Sequence, residues 1–202
     1  MKSTHRCELN YDVHPSVAEF MNPTAALVMC ILGVGGYLCY NARPQYMELA
    51  FTCVATFFYH ATLLHVAQCI DQLAIAVLVL HMSFVFNITL NSLMAVVIGT
   101  GIVIGSMLFS PLVAELGLVL QVLMFYRSIR IDSPMLYRAR TCMAVAFTFW
   151  LMELFIPCQL VAWLYLHMWW HLFAGYALFC IICANGWNIT ILTIVVFTQI
   201  KS

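Results

Sequence analysis

Between residues 69 and 126 the chain carries only two formal charges, Asp71 and Glu115. A soluble domain runs about 45–50% apolar and about 25% charged, and one aqueous core could not hide a run this long. Over all 202 residues the composition agrees, with 64% hydrophobic and only 8% charged. Disorder is excluded by the same figures, because disordered chains are charge-rich and apolar-poor. Eight Lys+Arg balance eight Asp+Glu, which leaves no basic stripe for nucleic acid. Strands of a membrane barrel alternate apolar and polar residues. Segments 24–40 and 93–108 are instead apolar or small on every face. The chain reads as an all-α membrane protein, a helical bundle.

A span needs roughly 20 mostly apolar residues. The sequence predicts seven: 23–40, 46–65, 69–86, 91–109, 111–127, 141–157 and 163–183. The long central stretch is cut at Asn87–Ser92 and again at Ser110-Pro111. The run Ile189–Phe197 is too short to span alone and reads as an extension of the last helix or an interfacial piece. Residues 1–22 form an N-terminal segment without the apolar core of a cleavable signal, and 23–202 form one transmembrane domain. With the N-terminus lumenal, the cytosolic side holds Arg43, Arg127, Arg130, Arg138, Arg140 and Lys201, against Lys2 and Arg6 outside. Basic residues collect on the cytosolic side, so the N-terminus is expected in the lumen and the C-terminus in the cytosol.

Charge inside the bilayer is costly, so an ionisable residue there is a functional hypothesis by default. In this topology His60, Asp71 and the pair His167 and His171 come from three stretches of sequence and lie at the same lumenal depth. His167-Met-Trp-Trp-His171 puts two imidazoles one turn apart on one face, a spacing that can grip a metal. HxxxH alone carries little; the third histidine and the aspartate at matching depth carry more. Three nitrogens with an open fourth position describe a catalytic zinc rather than a closed structural one. Asp71 would accept a proton from the attacking water or steady a ligand histidine. Thr56, one turn before His60, would donate to an oxyanion. A bis-histidine haem is the other use of such residues, but it leaves Asp71 unexplained. His65 and His81 read as interfacial, and Glu115 as a polar contact facing the bundle. Ahead of the first span, Glu8, Asn10 and Glu19 supply hard oxygens of the kind calcium prefers, although polar residues in such a segment are usually just solvated.

Cys7-Glu8-x-Asn10 with Val17-Ala18-Glu19-Phe20-x-Asn22 resembles the N-terminal signature of alkaline ceramidases. Thr56-x-x-x-His60 followed by Asp71, and the closing His167-x-x-x-His171, resemble that family's remaining motifs in order and spacing. The resemblance implies a seven-helix intramembrane zinc amidase, a hydrolase of sphingolipid metabolism. It would cleave ceramide to a sphingoid base and a free fatty acid in the endoplasmic reticulum or Golgi. It implies His60, His167 and His171 as zinc ligands, Asp71 as base and Thr56 as the oxyanion hydroxyl. It also implies calcium held by Glu8, Asn10 and Glu19 with main-chain oxygen near His5 and Arg6, and a lumenal disulfide between Cys7 and Cys158.

The chain departs from the family pattern in four places. Thr56 stands for the usual Ser, His5-Arg6 for Asp-Trp and Glu153 for an Asp, while Cys158 lies one residue late. No zinc ligand is lost. Other classes fit parts of the pattern: an adiponectin-receptor-like or GPI-anchor-remodelling hydrolase, which shares the His/Asp set, and a non-catalytic relative keeping metal for folding. A transporter would want Gly or Pro breaks in mid-span. Gly33-Val-Gly35-Gly36 and Gly99-Thr-Gly101 are the only hints of these, and small residues more often serve helix packing.

Overall fold

The computed structural model describes residues 13–40, 43–86, 88–106, 109–129 and 133–200. Among these residues every extended element is a helix: α1 (Met21–Cys39), α2 (Pro44–Thr62), α3 (His65–Val85), α4 (Leu90–Ser106), α5 (Pro111–Ser128), α6 (Pro134–Phe155), the single turn α7 (Cys158–Val161) and α8 (Leu166–Ile200). Proline opens α2 and α6 at their first positions, where its fixed φ suits a helix and its missing N–H would have had no partner.

Each expected span falls on its own long helix, and the two expected cuts fall between α3 and α4 and between α4 and α5. The helix start that departs most from the sequence reading is that of α6. Helix α6 starts at Pro134 rather than near 141, because Ser133 accepts a hydrogen bond from the Leu136 amide at 3.1 Å and caps it. The C-terminal apolar run continues α8 through Ile200 as one helix, in agreement with its reading as an extension of the last span. By length and composition, α1, α3 and the Leu166–Ala184 part of α8 can cross a membrane. Helix α4 is apolar but shorter, at 17 residues, whereas α2 dilutes its apolar character with inward polar residues such as Gln45, Thr52, Thr56 and His60.

Helix α8 packs on α6, α1 and α2; α2 lies between α1 and α3; α3 meets α4 and α5. Polar side chains tie these helices from inside. Gln121 of α5 donates to Ala76 O of α3 at 2.9 Å and to Thr100 Oγ1 of α4 at 2.8 Å. Tyr46 of α2 contacts Cys183 Sγ of α8 at 3.2 Å. Outside, Leu27, Ile31 and Leu38 of α1, Phe51 and Phe58 of α2 and Ile98 of α4 are exposed. Apolar outside with amides inside is the pattern of a bundle whose solvent is hydrocarbon.

The α1–α2 seam depends on glycine. A Cβ at Gly33 would sit 2.9 Å from Tyr46 O, and one at Gly36 2.6 Å from the Tyr46 ring, whereas Gly35 faces open space. The small residues of this helix therefore serve close packing. Gly33→Val should lower the thermal midpoint of the detergent-solubilised protein, because overpacking costs about 1–3 kcal/mol. Gly35→Ala should leave it unchanged or raise it by virtue of helix propensity. Equal midpoints for the two variants would contradict the seam.

Candidate metal centre

The C-terminal end of α2 would leave its last carbonyls without partners, and three devices satisfy them. Leu63 adopts a left-handed conformation (φ 52°), and its N–H donates to Tyr59 O at 2.6 Å. The segment before α1 supplies the rest: Glu19 N–H donates to His60 O at 3.1 Å and Ala18 N–H to Ala61 O at 3.0 Å. That docking brings the Glu19 carboxylate onto the His60 ring, where Oε2 accepts from His60 Nδ1 and, at 3.0 Å, from Asn22 Nδ2. Both Glu19 and His60 are 1% exposed. Burial alone would push the Glu19 carboxyl up, but the hydrogen bonds from His60 and Asn22, with the electrostatic pull of the neighbouring imidazole rings, hold it below its ordinary range.

A parallel arrangement positions the second group. Tyr165 takes a left-handed conformation (φ 48°) just ahead of α8, and two residues later His167 enters the bundle. His167 Nδ1 donates to Glu153 Oε2 of α6 at 2.7 Å. A carboxylate can only accept, so each of these rings carries its proton on Nδ1 and its lone pair on Nε2. One turn on, His171 Nε2 lies 2.9 Å from His60 Nε2.

The ligand atoms of His60, His167 and His171 all fall within 4.8 Å of one another. Tetrahedral bonding at ~2.0–2.1 Å sets such nitrogens about 3.3 Å apart, so small shifts suffice. Two of the three rings have Nδ1 held by a buried carboxylate, which is the usual second layer of support behind a metal-ligating histidine. The donor set and its tautomers fit one divalent ion.

Asp71 of α3 is 6% exposed and lines the same chamber as the three histidines, with Glu115, Trp150 and Trp170 also in the wall. Its Oδ1 lies 2.5 Å from Thr56 Oγ1, and that hydroxyl also lies 3.0 Å from Thr52 O. One hydroxyl proton thus serves two acceptors. A second chamber of about 80 Å³ adjoins the first through Ile75, Val122, Trp170 and His171. It runs toward Met29, Val79 and Leu178 and is mainly apolar.

Sequence reasoning placed the histidines and Asp71 together but assigned no role to Glu153 beyond a departure from pattern, and gave Glu19 only to calcium. Of the expected calcium set, His5, Arg6, Glu8 and Asn10 lie outside the described residues, as does Cys7. Cys158 opens α7. His81 is engaged by Glu48 at 2.7 and 2.8 Å, tying α3 to α2 at the end away from Asp71. His65 Nε2 lies 3.9 Å from Cys69 Sγ.

The described residues thus form a helical bundle, apolar outside as a membrane protein is, with three histidines able to grip a metal among buried carboxylates. The Ceramidase family model matches residues 2–194, and the chain belongs to that family. Membership makes it a ceramidase-like hydrolase of amide bonds, with a membrane-lipid substrate, in a family generally dependent on metal. No curated protein matches the chain.

Removing either supporting carboxylate should loosen the centre while leaving its ligands in place. Glu19→Ala and Glu153→Ala should each weaken divalent-metal affinity by about 10–100-fold, measured by competition with a chromogenic chelator. Unchanged affinity in both would deny the carboxylates this role.

Proposed function

We propose that the chain is an intramembrane zinc amidase that hydrolyses ceramide to a sphingoid base and a free fatty acid. The observation that carries this reading is the convergence of His60, His167, His171 and Asp71 on one chamber that continues into an apolar one. The three histidines would hold the ion, with Glu19 and Glu153 fixing two of the rings. When bound, zinc supplies a Lewis acid and lowers the pKa of water toward ~7 from ~16 in bulk.

The chain's own residues do the rest. Asp71 takes a proton from the attacking water and passes it to the amide nitrogen as the C–N bond breaks. The oxygen and one hydrogen of that water end in the fatty acid, and the transferred proton ends in the amine. Thr56 orients Asp71 in the resting state. Once Asp71 is protonated it draws less on the Thr56 hydrogen, which can turn to the developing oxyanion. Trp150 and Trp170 keep bulk water from the chamber, and the apolar chamber receives hydrocarbon.

The proposal includes seven spans with a lumenal N-terminus, as the distribution of Lys and Arg favours, and residence in the endoplasmic reticulum or Golgi. The family resemblance adds calcium at His5, Arg6, Glu8, Asn10 and Glu19, and a Cys7–Cys158 disulfide on the side where disulfides persist. The Glu19–His60 contact would transmit any change at such a calcium site to a zinc ligand.

The deciding experiment measures zinc and ceramide hydrolysis on the same purified detergent samples. The wild type should hold roughly one zinc per chain and turn over, since three such ligands with one open position make a single catalytic site. His167→Ala/His171→Ala should lose both. Asp71→Ala should keep zinc and lose turnover, and Thr56→Ser should keep both. Zinc in the wild type without hydrolysis of any ceramide would overturn the proposal in favour of another lipid hydrolase or a non-catalytic relative.

A further inference from the structure

Two carboxamides flank Asp71 on α3 without any visible use. Gln68 and Gln72 lie one turn apart, are 1% and 4% exposed, and line the histidine chamber. Gln68 Oε1 and Nε2 and Gln72 Oε1 have no hydrogen-bond partner among the described residues. Leaving a buried polar group unsatisfied is costly, and less of that cost is recovered from water in a bundle whose outer face is apolar. Gln121 shows the alternative, since its amide nitrogen is spent on two helices. Among the described residues, neither Gln68 polar atom nor Gln72 Oε1 is spent in this way.

Their place on α3 suggests what they are kept for. Gln68, Gln72 and Ile75 succeed one another on the face that lines the histidine chamber; Ile75 also lines the apolar chamber, and Val79 lies one turn further into it. From Gln68 to Val79 this face runs roughly 16 Å along the helix, polar at one end and apolar at the other. That is the layout of a single amphiphile laid along α3, with its amide near the middle, beside the histidines.

We propose that Gln68 and Gln72 form the headgroup subsite, binding the hydroxyls of a neutral lipid amide while its hydrocarbon fills the apolar chamber. A carboxamide offers both a donor and an acceptor, as a hydroxyl does. Among the described residues the chamber wall has no Lys or Arg but does have Asp71 and Glu115, so an anionic headgroup would meet no counter-charge there. The inference rests on the ceramidase reading above and specifies which part of the substrate is read. Neither glutamine touches the reacting atoms; both are specificity residues.

The test compares Gln68→Met and Gln72→Met with the wild type on ceramide and on an N-acyl alkylamine of matched chain length without headgroup hydroxyls. Methionine keeps the length of the side chain and removes its polar group. A site built to hydrogen-bond a hydroxyl discriminates strongly against the analogue lacking it. The wild type should therefore favour ceramide by at least about tenfold in kcat/KM. Each variant should lose about tenfold or more on ceramide, mainly in KM, and change by less than about twofold on the alkylamine, a pattern of lost discrimination. Zinc content should be unchanged and the thermal midpoint equal or higher, because an unpartnered polar group has been removed. Parallel losses on both substrates, or variants that no longer fold or hold zinc, would overturn the inference and leave the hydrolase reading standing. A wild type that hydrolyses the alkylamine as well as ceramide would do the same. A wild type inactive on ceramide would overturn the functional reading and this inference with it.

Discussion

A polar group taken out of water into this bundle must be answered from within it, and the contact on which the rest turns joins Glu19 to His60. It is both an electrostatic and a backbone device. The segment that carries Glu19 donates its N–H groups to the open carbonyls of α2, and the docking that caps the helix also delivers a carboxylate to the ring. His60 then has a fixed tautomer and faces His171 with its other nitrogen. Without the capping segment the end of α2 would be unsatisfied and its histidine unsteered.

The same logic explains why the backbone departs from ordinary helix geometry on both sides of the cluster. Leu63 and Tyr165 are the described non-glycine residues with positive φ. A side chain held in the left-handed region costs of order 1–3 kcal/mol. One follows His60 by three residues and the other precedes His167 by two. Each lies where the chain must turn sharply to bring a histidine into the bundle, and the packed helices around them maintain the turn. Thr56–Asp71 and Glu48–His81 bind α2 to α3 toward opposite ends, so the α3 side of the chamber is fixed against α2.

Much of this was legible in the sequence, and the exceptions share a cause. Hydropathy and turn residues located the long helices, because those signals are local. HxxxH is local as well, and a common membrane depth linked it to His60 and Asp71. The start of α6 was also a local signal, Ser133-Pro134, but the arginines after it obscured the helix. Glu153 gave no such sign. It lies on a different helix from His167, and nothing in their spacing anticipates that Oε2 meets Nδ1. Glu19 was read with its sequence neighbours as a calcium oxygen, and its partner His60 is far away along the chain. Gln68 and Gln72 look like ordinary polar interruptions until the structure shows their amides buried and unanswered.

The histidine cluster draws on both ends of the described chain, from Glu19 ahead of α1 to His171 in α8. During synthesis, then, the segment that caps α2 emerges early, while the partners of His60 on the last helix emerge late. A chain stopped before α8 holds His60, Asp71 and Glu19 in an apolar bundle with part of their network missing. Contacts this distant in sequence are slow to form, so the cluster is the last part of the protein to be completed. A chain that ends before α8 therefore leaves the Glu153 carboxylate of α6 without its His167 contact inside the bundle.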